Sequence, residues 1–207
     1  MQVTVVDHPL TAQLLARLRD EATDRAGFRR AMDDISGILV YEAMRDAASE
    51  EHPVTTPLVE TTGIRLAAPP LVVPVLRAGL GMLGGVLRYL PETDTGFIGL
   101  ARNEETYEPE AYMNSVPEQL SGRPVLVLDP MLATGGSLVH SCRTLAERGA
   151  GPMTAVCVLA APEGIAKVEA SGLVAHLVTA TVDDGLNDHA YIVPGLGDAG
   201  DRLFGTA

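Results

Sequence analysis

The sequence predicts an α/β fold, a mainly parallel sheet flanked by helices, with an N-terminal helical part, a β-hairpin arm and a C-terminal irregular hood. Three observations carry this expectation. Between residues 71 and 181, short apolar runs alternate with segments of helical period, the pattern of a parallel sheet covered by helices. Near residue 128 an apolar run ends in an acidic residue and a small-residue turn that leads into one of those helical segments. Upstream, Phe28, Met32, Ile35, Leu39 and Ala43 recur at steps of three and four, one face of a helix.

Each element follows in chain order. Thr23 is the expected cap of the first long helix, because its hydroxyl can accept from an orphan amide. After Glu50-Glu51-His52-Pro53, alternating stretches at 54–60 and 63–66 suggest a hairpin, an arm able to reach a second subunit. Strands are expected at 71–76, 96–101, 125–128, 153–159 and 173–181. Helices are expected at 80–90, 137–148 and 163–170, the second stopped by Gly149. The polar stretch 104–121, with Tyr107, Pro109, Tyr112 and Pro117, is too long and broken for a simple connection, so a mobile hairpin or lid is expected there. From Asp183 onward the tail reads as glycine-rich irregular structure.

Length and charge bound the function. A chain of 207 residues, 46% hydrophobic, can bury a core without disulfides or structural metal. It is read as one domain, with helices and arm in about 1–68, the α/β core in about 70–182 and the hood in about 183–207. The formal net charge is -12 and Lys167 is the only lysine. Such a surface repels nucleic-acid backbone and anionic lipid, so neither nucleic acid nor membrane is an expected partner. A polyphosphate ligand would need local devices: backbone amides, placed arginines and a cation carried in with it. Cys142 and Cys157 lack metal or redox spacing and read as reduced, buried thiols. The start, Met1 to Asp7, has no basic and apolar leader pattern, and no apolar run approaches roughly 18 residues, so a soluble cytoplasmic protein is expected.

Four segments carry chemistry. In Asp129-Pro130-Met131-Leu132-Ala133-Thr134-Gly135-Gly136-Ser137, a strand delivers an acid to its carboxyl end and a turn opens a helix. Amides of that turn can converge on a phosphate, with the Thr134 and Ser137 hydroxyls as further donors. It is no Walker loop, since GxxxxGK[ST] spacing is absent. Arg77 follows a strand on the turn Arg77-Ala78-Gly79, where a guanidinium can chelate phosphate oxygens. Arg102 follows another strand; taken alone beside Glu104 and Glu105 it reads as a surface ion pair, and only its place after a sheet strand points to the site. The fourth segment runs from Asp184 to Thr206, where glycines would let backbone approach a ligand. His189 within it reads as structural rather than catalytic.

The 129–137 loop resembles the phosphoribosyl-diphosphate (PRPP) signature of type I phosphoribosyltransferases. Pro130, where many members carry a second acid, is similar to the uracil-specific branch. The segment from Asp184 to Thr206 resembles the base-binding segment of that branch, and the likeness extends over essentially the whole chain, including Asn103-Glu104-Glu105-Thr106 and Ala160-Ala161-Pro162-Glu163-Gly164-Ile165.

The resemblance implies a reaction joining uracil N1 to C1 of the PRPP ribose, with UMP and pyrophosphate as products. It implies that Asp129 orients ribose hydroxyls, that residues 129–137 bind PRPP, and that Arg77 and Arg102 contact the pyrophosphate. Ile192, Gly197, Asp198 and Ala199 bind uracil, and Asp198 also serves PRPP or its metal; Asp129, Asp198, Arg77 and Arg102 form the catalytic set. Mg²⁺ is expected as Mg-PRPP, with no directly assigned protein ligand, and a homodimer or higher homo-oligomer and a GTP effector are implied. Three other readings share the loop: a transferase for another base, an RNA-binding pyrimidine-responsive regulator, and a nucleotide-sensing domain without catalysis. The regulator calls for a basic face, which this acidic, lysine-poor chain does not advertise.

Overall fold

The structure, a computed structural model, describes residues 1–102 and 109–206. The chain opens with a short strand, β1 (Gln2–Val5), then α1 (Pro9–Arg19) and α2 (Arg25–Ala43). Asp24, not Thr23, caps α2 by accepting from the Gly27 amide at 2.7 Å. The Thr23 hydroxyl instead donates to the Arg17 carbonyl, because two cap-competent residues are adjacent and only one can take the cap geometry.

The arm is an antiparallel hairpin, β2 (Ser49–Thr55) with β3 (Glu60–Leu66). Its turn sits at 56–59, where the expected first strand was centred. Thr56 closes it, its hydroxyl taking the Leu58 and Val59 amides at 3.2 and 3.0 Å, so the Glu-rich stretch before it is strand rather than a break.

The core follows as β4 (Leu71–Leu76), α3 (Leu80–Tyr89), β5 (Ile98–Arg102), β6 (Pro109–Asn114), β7 (Val125–Leu128), β8 (Met131–Leu132), α4 (Gly136–Glu147), β9 (Met153–Ala160), α5 (Pro162–Ser171) and β10 (His176–Val182). Among the described residues the main sheet runs β1-β10-β9-β7-β4-β5-β6, with β8 alongside β9. Every pairing is parallel except β5 with β6. Residues 109–114 thus form the returning half of a hairpin within the polar stretch; residues 103–108, and any lid role for them, lie outside the described residues.

Alternation along the strands divides the core between the two faces of the sheet. Leu126 and Leu128 join Val72, Val156 and Val178 against Leu18 of α1, Phe28, Met32, Ile35 and Leu39 of α2, and Met82 and Val86 of α3. Val125 and Val127 join Val73, Ala155 and Leu177 against Leu138, Cys142 and Leu145 of α4 and Val168 of α5. Burial on both faces explains why these strands read as unbroken apolar runs. Each buried Leu, Ile or Phe contributes about 1.5 to 3 kcal/mol. Cys142 and Cys157 are both unpaired and buried; burial pushes the Cys142 thiol up to about 12 and Cys157 well above its ordinary value.

The tail is more regular than expected. Its first part is a two-stranded ribbon, β11 (Gly185–Leu186) with β12 (Ile192–Val193). Its last part is a helix, α6 (Ala199–Phe204), whose Ala199 and Leu203 pack into the α1/α2/α3 side of the core.

Candidate active site

The site forms where strands end. In a parallel sheet the carboxyl ends share one edge, and the turns that leave them face one crevice. The turn after β4 brings Arg77, the turn after β7 brings the 129–137 loop, and the segment after β10 folds back over both.

The loop is held by its own backbone. The Asp129 amide donates to Val156 O at 3.2 Å. Pro130 O accepts from the Val158 and Leu159 amides at 3.0 and 3.1 Å, and Leu132 O from the Ala161 amide at 2.8 Å. Pro130 and Leu132 are buried, so they brace the loop instead of presenting side chains to a ligand. Gly135 then turns left-handed, at φ 76° and ψ 0°, and α4 begins without a side-chain cap. Its first amides therefore lack an intrahelical partner, and the helix dipole adds partial positive charge. Behind this turn sits α5: a Cβ on Gly164 would stand 2.4 Å from Ala133 O and 2.8 Å from Leu132 O. Glycine at 164 is thus a condition of the loop's shape.

Asp129, at the end of β7, accepts from the Met131 amide at 3.3 Å. Burial raises its carboxyl to about 6, the Met131 amide opposing that shift. Arg77 is half exposed, with Nη2 3.4 Å from Asp201 Oδ1. Asp198 caps α6, accepting from the Asp201 amide at 2.8 Å, so a guanidinium and two carboxylates meet at one rim.

One cavity of about 470 Å³ joins these parts, within the size range of small-molecule sites. Arg77, Met131, Ala133, Thr134, Ser137, Ile192, Gly197, Asp198 and Ala199 all line it, so the expected phosphate and base segments share a single space. Asp129, Pro130, Leu132, Gly135 and Gly136 are not on its wall. Arg102 ends β5, but its expected pyrophosphate contact lies outside what the structure describes. Ala78, His189, Ala190, Tyr191 and Gly200 also line the cavity and were not among the expected site residues. The Asn187 side chain folds that stretch inward by accepting from the His189 and Tyr191 amides at 3.0 and 2.9 Å, a turn signal present in the sequence.

The donor set also bears on a metal. Among the described residues no three His, Cys, Asp or Glu side chains cluster as a metal site. Among the described residues Asp198 is the one acidic side chain on the cavity wall, so a cation there would have to arrive already bound to a polyphosphate.

Comparison with known proteins bears on the fold and on the family. Structural likeness to a purine phosphoribosyltransferase from Pyrococcus horikoshii, at TM-score 0.52 and 13% identity over 74% of this chain and 83% of that one, concerns the fold alone. A solved protein of Aquifex aeolicus superposes at TM-score 0.93 with 38% identity, covering 100% of this chain and 99% of the other. The uracil phosphoribosyltransferase of Streptomyces griseus is 56% identical over 100% of both chains. That of Corynebacterium diphtheriae is 54% identical over 99% of this chain and 97% of its own length. The sequence profile of uracil phosphoribosyltransferases matches residues 5–206, and on that match, supported by relatives more than half identical along its length, the chain belongs to the uracil phosphoribosyltransferase family.

Proposed function

We propose that the protein transfers the phosphoribosyl group of PRPP to N1 of uracil, giving UMP and pyrophosphate. The observation that carries this reading is the shared cavity, which sets a phosphate-accepting helix start beside a glycine-bearing backbone segment. The C1–O bond to pyrophosphate breaks, the N1–C1 bond forms, and the N1 proton leaves. Positive charge builds on the sugar ring, so the protein's task is positioning and electrostatic stabilisation.

In this reading the amides of 134–137 and the Thr134 and Ser137 hydroxyls hold the 5-phosphate, each charged hydrogen bond adding about 1.5 to 3 kcal/mol. Asp129 accepts from ribose hydroxyls, Arg77 and Arg102 hold the pyrophosphate, and Asp198 faces the sugar and its cation. Bound as Mg-PRPP, Mg²⁺ would neutralise charge on the leaving pyrophosphate. Ile192 packs on the base, while the backbone around 197–199 reads the acceptor, donor, acceptor edge of uracil. Cytosine, with a donor in place of O4, is rejected.

Purified protein with Mg²⁺, PRPP and uracil should form UMP, and activity should vanish with EDTA and return with Mg²⁺. A panel of uracil, cytosine, orotate and purines separates this reading from a transferase for another base; no UMP from uracil sinks it. The reading includes a cytoplasmic homo-oligomer, supported by an arm on which Leu58 is 94% and Ile64 is 64% exposed. GTP activation, implied by resemblance alone, is tested by the initial rate with and without GTP.

A further inference from the structure

We propose that Arg19 and Asp183 are positioning residues for uracil: a clamp from the first helix that sets the height and tilt of the base-binding turn. This rests on the reading of the cavity as a uracil site. Neither residue lines that cavity. They act through the turn between Ile192 and Gly195.

Asp183 is the first residue after β10 and stands at a junction of three parts. Its amide donates to Ala160 O at 2.9 Å, tying it to the end of β9. Its carboxylate accepts from Arg19 Nη2 at 2.6 Å, from Arg19 Nη1 at 2.9 Å and from the Gly195 amide at 2.9 Å. Arg19 Nη1 also donates to Gly195 O at 2.9 Å. Both polar backbone groups of Gly195 are thus consumed by one ion pair. The Asp183 side chain is 2% exposed and that of Arg19 25%, so water competes poorly for these bonds.

The turn has little freedom of its own. Gly195 sits at φ 62°, and a Cβ there would stand 2.1 Å from Ile192 O. Ile192 lies three residues to one side of Gly195 and Gly197 two to the other, and both line the cavity. A shift of Gly195 therefore moves both contacts of the base together. The phosphate loop is held separately, by β9 and by Gly164 of α5. Loosening the clamp should accordingly affect uracil far more than PRPP, which this segment meets only through Asp198.

The test is steady-state UMP formation by the full chain carrying Arg19→Gln, Arg19→Lys or Asp183→Asn, with uracil and PRPP varied in turn and thermal melting in parallel. Arg19→Gln and Asp183→Asn should raise the KM for uracil by about tenfold or more while the KM for PRPP stays within about twofold. Arg19→Lys should recover part of the loss, since an ammonium keeps the charge but not the two-pronged contact. A purely structural role would lower the melting temperature and the active fraction without splitting the two KM values. An unchanged uracil KM in a folded variant, or equal rises in both KM values, overturns the proposal. So does failure of all three variants to fold, because the pair then serves the whole fold rather than the turn. Wild-type protein that makes no UMP sinks the uracil reading itself, a separate outcome.

Discussion

Asp129 combines burial with a proposed task, accepting from ribose hydroxyls, that needs negative charge. Its carboxyl titrates at about 6 in the folded protein and near 3.9 in an unfolded chain. Between those values the folded state keeps a proton the unfolded chain has lost, so its contribution to stability falls as pH rises from about 4 to about 6 and stays lower above. Asp129→Asn should therefore be more stable than wild type at pH 8, by roughly 1 to 2 kcal/mol, with the gap closing near pH 4; urea unfolding at both pH values checks this. Activity should move the other way. If the carboxylate accepts from ribose hydroxyls, kcat/KM for PRPP falls as pH drops through about 6, and Asp129→Asn is slow throughout but lacks that limb. Gly164 carries a second residue-level prediction: Gly164→Ala forces Ala133 O and Leu132 O aside, at a cost of about 1 to 3 kcal/mol. Kinetics should show a raised KM for PRPP, and an unchanged value would refute the bracing role. The loop was legible because all its parts are contiguous. Gly164 was visible as a residue, yet its contact with Ala133 spans thirty-one positions, and no local pattern encodes that.

Elements were legible in proportion to how deeply they are buried. β4 and β7 match their expected bounds because both faces of each are covered, giving apolar runs without interruption. Pro74 in β4 argues locally against an interior strand. The structure resolves this: Val72 bonds toward β5, so Pro74, two residues on, turns its missing N–H the same way. Its position falls in the gap between the Val72–Thr95 bridge and the Val75–Ile98 pair. β1 was not anticipated, since it is a four-residue, mostly exposed edge strand that owes its order to β10. α6 was hidden by Gly197, Gly200 and Gly205 and is too short for a period to emerge. What holds α6 is Arg202, whose guanidinium donates to the carbonyls of Leu18, Leu196, Asp20 and Thr23 and lies 4.3 Å over the Phe28 ring. Arg202→Ala should cost about 2 to 4 kcal/mol, read as a lower urea midpoint. Loss of less than about 0.5 kcal/mol, the scale of an ordinary surface change, would show that α6 is held by Leu203 instead.

For the molecule as a whole, the arm is where the proposed self-association would be read. Leu58 and Val59 stand out on the turn of the arm and Ile64 on β3, and Tyr41 and Tyr89 are exposed on the α2/α3 side, apolar surface of the kind that partner contacts cover. Leu58→Asp with Ile64→Asp should shift the protein to a smaller species in size-exclusion chromatography with its fold unchanged by circular dichroism. If the arm plays no part in self-association, the elution volume will not move. The hood also joins parts of the chain that lie far apart along it. Arg19 meets Asp183, and Arg202 meets Leu18 and Asp20, across 164 to 184 positions. During synthesis on a ribosome, a chain complete through residue 182 would already contain the phosphate loop and the sheet under it, but no base turn and no partner for Arg19. On the proposed reading, such a chain would carry the phosphate loop without the turn that receives the base, and competence would await residues 183–206.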